Sequence, residues 1–205
     1  MSSKRRALLI VVSAPSGGGK TTLCSRLLAE FRKTMVRSVS CTTRARRGDE
    51  MNGKEYHFID EAAFAALLQK GEFMEHAVVH GYCYGTPRPF VEKMLAAGKD
   101  VLLAIDVQGA RQIREQIAAA KDGSLLKRAL VDVFVAPPSM PLLKKRLMAR
   151  DEDSPETIKR RLKNAQAEMA CMREFSYRVV NDELDAAFDD LRAIVKAERC
   201  RIMPA

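Results

Sequence analysis

Along the chain, unbroken apolar runs alternate with stretches in which apolar residues return every three or four positions. Ala7 to Val12 (ALLIVV), Val101 to Ile105 and Val131 to Val135 are continuous runs, as expected of strands covered on both faces. Leu23, Leu27, Leu28 and Phe31 sit at helical spacing, so an amphipathic helix is predicted from Lys20 to Lys33. The later runs are also followed by helical sequence, which is the rhythm of a doubly wound α/β sheet. The middle third differs: short alternating pieces, Glu55 to Ile59 and Glu75 to Val79, lie between turns such as Gly48-Asp49 and Asn52-Gly53. A small, largely antiparallel lobe is expected there. Asp60 can cap a helix carrying Phe64, Leu67 and Leu68 that stops at Gly71, and a second helix from Pro89 to Ala97 stops at Gly98. Ser139 starts a helix with Leu142, Leu143 and Leu147, and Ser154-Pro155-Glu156 starts another. Val179-Val180 is a last short strand, and Phe188, Leu191, Ile194 and Val195 give the closing helix its buried face.

Composition narrows the partners. With 205 residues the chain can form one core carrying inserted lobes. Hydrophobic residues make up 47% and charged residues 30%, so neither a disordered protein nor a disulfide miniprotein is expected. Lys and Arg number 35 against 26 Asp and Glu, a formal charge of +9 that favours anionic partners: nucleotide, nucleic acid or membrane surface. Cys24, Cys41, Cys83, Cys171 and Cys200 form no CxxC pair, and His57, His76 and His80 form no HExxH pattern. A reduced, cytoplasmic chain without a zinc site is the expectation. Lys4, Arg5 and Arg6 before an apolar run imitate a signal peptide. That run is too short for one and leads into a glycine-rich loop, so a buried first strand is the better reading.

That loop carries chemistry. Ala14-Pro15-Ser16-Gly17-Gly18-Gly19-Lys20-Thr21 fits (A/G)xxxxGK(S/T), between the predicted first strand and first helix. Consecutive backbone N–H groups turned inward hold phosphate oxygens, glycines allow the close approach, and the helix N-terminus adds partial positive charge. Lys20 then reaches the β- and γ-phosphates, the Thr21 hydroxyl ligates Mg²⁺, and Thr22 completes the nucleotide-binding stretch. The expected architecture is a P-loop NTPase-type parallel sheet flanked by helices. Asp106, at the end of the run from Val101 to Ile105, can hold a magnesium-bound water or a polar group of the substrate.

The loop names a nucleoside triphosphate but not the acceptor. Ser38 to Gly48 concentrates hydroxyls with Arg44, Arg46 and Arg47, and Asn52 to Phe58 follows closely. Guanidinium forks and a phenol suit a phosphate monoester, while a solvated basic loop touching nucleic acid fits the composition equally well. Here the sequence resembles the guanylate kinase family over nearly its whole length. The family's SxSxTTRxxR stands as Ser38 to Arg47, NGxxYxF as Asn52 to Phe58, F(I/M)E as Phe73 to Glu75 and YYG(T/S) as Cys83 to Thr86. IDxQG stands as Ile105 to Gly109, PPS as Pro137 to Ser139, LKKRL as Leu143 to Leu147, RRL as Arg160 to Leu162, AQAE as Ala165 to Glu168 and VND as Val180 to Asp182.

The resemblance implies an enzyme that transfers the γ-phosphoryl group of ATP to GMP, with Mg²⁺ as the metal. It implies that Arg44, Arg47, Tyr56 and Tyr84 bind the GMP phosphate and that Ser40, Glu75 and Thr86 read the base, with Asp106 in the same GMP set. A carboxylate accepts from guanine N1–H and NH₂, whereas adenine offers no hydrogen at that edge and would leave Glu75 unpaired. By the same resemblance Lys20 and Arg44 are catalytic together with Arg150 and Arg161, which sit in a lid over the ATP phosphates. Asn181 lies near the adenine, and Arg160 is solvated. The chain then divides into core 1–37, a mixed or antiparallel GMP-binding lobe 38–97, core 98–138, a small helical lid 139–170 and core 171–205. Arg150-Asp151-Glu152-Asp153 forms a charged joint within the lid. Neither nucleic acid nor membrane is expected as the main partner; oligomeric state and tolerance of dGMP stay open.

Three departures stand out. Ala14 replaces the first glycine of the strictest loop form, and Arg111 to Arg128 is longer than expected, with Lys121-Asp122-Gly123-Ser124 as a surface turn. Ala104 stands where the family usually carries Asp or Glu. The rival readings are a guanylate-kinase-like phosphopeptide-binding module, whose mark is a degraded phosphate loop, a kinase for another nucleoside monophosphate, and a nucleic-acid binder. Restoring an acid at position 104 tests the third departure: Ala104→Glu is expected to improve magnesium or GMP handling modestly in steady-state assays, and unchanged kinetics would show that the missing acid does not matter.

Overall fold

The protein is described here from a computed structural model, which covers residues 5–79, 81–149 and 155–202. Arg150 and the charged joint after it lie outside the described residues. Strand β1 (Leu9–Ser13) is followed by helix α1 (Lys20–Glu30) and by β2 (Met35–Arg37). A second group of elements comes next: β3 (Cys41–Thr42), β4 (His57–Phe58), α2 (Glu61–Gln69), β5 (Phe73–Val79) and β6 (Tyr82–Pro87). Helix α3 (Arg88–Ala96) leads to β7 (Asp100–Ala104), α4 (Val107–Ala119), α5 (Leu125–Ala129) and β8 (Leu130–Ala136). Helices α6 (Met140–Met148) and α7 (Pro155–Ala170), a 3-10 turn, β9 (Tyr177–Val180) and α8 (Leu184–Cys200) complete the described chain.

The first sheet has five strands in the order β2-β7-β1-β8-β9, all paired in parallel. Every residue of β1 is buried because alternate side chains enter two different cores. Leu8, Ile10 and Val12 pack with Leu23, Leu27, Leu191 and Val195, on the side of α1 and α8. Leu9 and Val11 pack with Leu103, Ile113, Val91 and Leu95, on the side of α3 and α4. An apolar run without alternation is therefore what a central parallel strand requires.

The second sheet, β4-β3-β6-β5, is mixed: β3 pairs antiparallel with β6, and β6 with β5, but β3 and β4 run parallel. The expected strand from Glu55 to Ile59 is thus two residues long and joins the sheet in the other direction. Gln112 of α4 covers the outer edge of β5, donating to the His76 carbonyl at 2.8 Å and accepting from its N–H at 3.0 Å. That satisfies an edge otherwise open to pairing.

Caps follow the sequence closely. Asp60 accepts from the Ala63 amide and Ser139 from the Leu142 amide, as N-caps of α2 and α6. Several elements have no counterpart in the sequence pattern, β2 and α5 among them. β2 is three residues long with only Met35 buried, and α5 is a five-residue helix capped by Ser124 directly after the expected surface turn. Neither is long enough to display a period. The buried face of α3, Val91 and Leu95, joins the core of the parallel sheet rather than the second sheet.

At the end of the parallel sheet opposite the glycine-rich loop, Asp100 is fully buried. It accepts from the Leu8 amide at 2.9 Å and from Arg5 at 2.8 Å, and it pairs with Arg199 of α8. Removing a partner from a buried ion pair strands the others without compensation. Asp100→Ala is accordingly expected to lower the unfolding free energy by about 3 kcal/mol or more in denaturant titration, with the loss concentrated where α8 docks.

Candidate active site

The glycine-rich loop spans the gap between the carboxyl end of β1 and the first turn of α1. Gly17 and Gly19 have φ of 82° and 92°, the left-handed region where a Cβ is strained. Space is equally restrictive, because a Cβ on Gly19 would stand 2.0 Å from Asn181 Nδ2 and one on Gly17 would stand 2.9 Å from Leu147 of α6. The loop is closed by the Gly18 amide donating to the Pro15 carbonyl at 2.8 Å. From across the sheet, the buried Asn181 side chain after β9 donates to the Gly18 carbonyl at 2.8 Å. Gly19 occupies the N-cap of α1, no side chain caps it, and no acid lies in the first turn. The helix therefore presents its amides and its positive end to the loop's interior, where an anion can satisfy them.

Lys20 donates from Nζ to the Ile105 carbonyl at 2.7 Å, and burial pushes its pKa below the usual lysine value while Asp106, Glu168 and Glu75 act to raise it. Thr21 and Thr22 are exposed on the first turn of α1. Asp106, at the mouth of the strand order's reversal, caps α4 by accepting from the Gly109 amide at 2.8 Å. Ala104 is exposed at the end of β7, opposite Val12 of β1. A cavity of about 350 Å³ opens beside the loop, bounded by Gly17, Gly19, Thr22, Arg146, Asn181 and Leu184.

The second sheet faces this loop with a different set of groups. Register places Glu75 of β5 opposite Thr86 of β6, so the Thr86 hydroxyl donates to Glu75 Oε1 at 2.5 Å. Glu75 is 6% exposed, and burial pushes its pKa up against the opposing effect of that hydrogen bond. Gly109 makes the room: a Cβ there would stand 2.8 Å from Glu75 Oε2. Gly85 does the same for Phe73, at 2.7 Å. Ser40, half-buried, precedes β3 and accepts on its carbonyl from the His57 amide.

Arg44, Tyr56 and Tyr84 converge at the other end of the lobe. The two rings are 5.7 Å apart at 66°, and the buried Arg44 guanidinium lies 5.4 Å from the Tyr56 centroid. Arg47 is exposed beside them. Arg44 is held by Glu50 at 2.7 Å, and the same carboxylate accepts from the Arg47 amide at 2.9 Å. The hydrogen bond from the Arg44 guanidinium, and after it that from the Arg47 amide, pulls the Glu50 pKa below the usual range. Glu50 thus stands in for an anion at the arginine fork.

Both the sequence and the overall fold are matched by proteins of known family. The sequence matches the guanylate kinase family over residues 6–198. The chain belongs to the guanylate kinase family. A guanylate kinase of Dechloromonas aromatica is 49% identical over 92% of this chain and 88% of its own length. One of Agrobacterium fabrum is 46% identical over 96% of this chain and 85% of its own. Among solved structures, the guanylate kinase of Anaplasma phagocytophilum superposes with a TM-score of 0.73 at 34% identity, covering 97% of this chain and 89% of that one.

Within this guanylate kinase fold, three residues escaped the motif reading although they stand in or beside its motifs. Glu50 lies between two motifs. Arg146, inside LKKRL, donates to the Asn181 carbonyl at 2.8 Å and the Asp182 carbonyl at 3.0 Å, tying α6 to the loop after β9. Glu168, inside AQAE, turns its carboxylate toward the Ser16 amide. Of the expected lid arginines, Arg161 is half-buried on α7 and Arg160 is exposed, while Arg150 lies outside the described residues. The loop geometry makes one substitution decisive: Gly19→Ala is expected to weaken ATP binding about tenfold or more, read by calorimetry, because it combines left-handed strain with displacement of the Asn181 clamp.

Proposed function

We propose that the chain transfers the γ-phosphoryl group of ATP to GMP, giving ADP and GDP. The carrying observation is that one short segment joins the two sites: the Ile105 carbonyl accepts from Lys20 of the phosphate loop, and Gly109, four residues on, packs against the buried Glu75 carboxylate of the second sheet.

In this reading the amides from Ser16 to Thr22 hold the ATP phosphates, Lys20 leaves the Ile105 carbonyl for the β- and γ-phosphates, and Asn181 keeps the loop in register beside the adenine cavity. Glu75 accepts from guanine N1–H and NH₂ while Thr86 and Ser40 hold the base edge. Arg44, Arg47, Tyr56 and Tyr84 take the GMP phosphate, which displaces Glu50 from the arginine fork. Asp106 fixes the floor of the acceptor site. No general base is needed, because the attacking group is already a phosphate oxyanion. The protein's work is alignment and charge neutralisation by Lys20, Arg44 and the lid arginines Arg150 and Arg161. Segments 38–97 and 139–170 close over the core and exclude water, which would otherwise compete with GMP for the phosphoryl group.

Magnesium fits the donors present. Thr21 offers an exposed hydroxyl next to the loop, and no cluster of three metal-ligating side chains stands among the described residues, as suits a cation held mostly by water and phosphate. When bound, it would neutralise negative charge on the transferring phosphates. A cytoplasmic setting accords with the free cysteines, and among the described residues no helix is long and apolar enough to cross a membrane. The phosphopeptide-binding alternative has no support, since its mark, a degraded loop, is absent from Ala14 to Thr21.

A coupled ADP-release assay offering GMP, AMP, CMP and UMP checks this. Turnover is expected with GMP, with Lys20→Ala lowering kcat about a hundredfold or more and Glu75→Gln lowering kcat/KM for GMP about tenfold or more. GMP binding without turnover in the parent protein would return the chain to the binding modules.

A further inference from the structure

Glu168 is an acid at the phosphate loop for which phosphoryl transfer, as derived above, has no use. Its helix packs through Ala165, which is buried with Leu143 and Leu147 of α6. The spacing of three residues puts Glu168 on the same face as Ala165. Those two leucines are also the side chains that meet Gly17 of the loop, so this face of α7 is directed at the loop. The carboxylate faces the Ser16 amide and lies in the field of both Lys20 and Asp106. Its Oε2 is buried and has no hydrogen-bond partner among the described residues.

A buried carboxylate oxygen left unpaired is destabilising, and here it places negative charge beside a loop built to hold phosphate. For an anionic ligand the arrangement is counterproductive unless the ligand's charge varies. Metal-free ATP is a tetra-anion at neutral pH, and its magnesium complex carries two fewer negative charges. Repulsion from a fixed carboxylate scales with the ligand's charge, so it weighs more on the metal-free form. A water on the bound cation is also a donor of the kind the orphaned Oε2 lacks.

We propose that Glu168 is a specificity-determining residue that makes the phosphate loop favour the magnesium complex of ATP over the metal-free tetra-anion. This rests on the reading of the loop as the ATP site. Glu168 shares its surroundings with Lys20 at the start of α1 and Asp106 at the cap of α4, and Lys20 is also in the field of Cys24 on α1 and Glu75 on β5; Glu168 alone among them comes from α7.

The test is calorimetric titration of ATP into the full chain, into Glu168→Gln and into Glu168→Ala, each in EDTA and again in saturating Mg²⁺. Glutamine keeps one acceptor oxygen for the Ser16 amide and replaces the charge with a neutral amide, while alanine removes the group altogether. The expected result is tighter metal-free binding in both variants and an affinity ratio, magnesium over EDTA, that falls about fivefold or more, with GMP affinity unchanged. Because the ratio is taken within each variant, any general loss of folded protein cancels. An unchanged ratio, or equal weakening under both conditions, overturns the proposal and leaves Glu168 as packing. If the parent chain binds ATP under neither condition, the assignment of the loop fails instead.

Discussion

The structure is organised around a helix end without a side-chain cap. Gly19 heads α1 with neither a capping side chain nor an acid in the first turn, so the orphan amides of that turn need an anion from outside. Three elements hold the loop in that unsatisfied state. β1 is buried on both faces and fixes the loop's entry, Asn181 clamps the Gly18 carbonyl, and Leu143 and Leu147 close over Gly17. Preorganisation of this kind means that nucleotide phosphates meet donors already in place, and little ordering remains to oppose binding.

The acceptor lobe solves a different problem. The base-reading role proposed for Glu75 requires a carboxylate that is desolvated, since water would compete for it, yet ordered. Antiparallel register provides this by setting Thr86 directly opposite Glu75, and Gly109 of the neighbouring helix provides the space. At the other end Glu50 occupies the Arg44 fork. Before any substrate arrives, the cationic fork therefore carries a carboxylate partner and the buried Glu75 carries a hydroxyl, so neither is stranded.

Helix α6 and residue Arg146 join these parts. Arg146 bonds to both carbonyls after β9, from which Asn181 reaches back to the loop. The cavity beside the loop, the Asn181 clamp and helix α6 thus share one hydrogen-bonded corner. Helix α6 touches the loop by two routes, through Leu143 and Leu147 at Gly17 and through Arg146 and Asn181 at Gly18.

Much of this was legible in the chain itself, for a local reason. Continuous apolar runs named the central strands, Asp60 and Ser139 announced helix starts, and the loop motif fell between strand and helix, because each of these depends on residues within a few positions of one another. Elements too short to show a period, β2, β3 and α5, left no such trace. What the tertiary structure decided is which distant groups touch. Asn181 meets Gly18 across 163 residues, Glu168 turns toward Ser16, and α3 docks into the parallel core although it follows the lobe in sequence. Glu50 is only six residues from Arg44, yet its role depends on a turn whose path no pattern encodes. Sequence periodicity specifies which face of an element is buried; it carries no information about which partner covers that face, and the chemistry of this site is set by the partners.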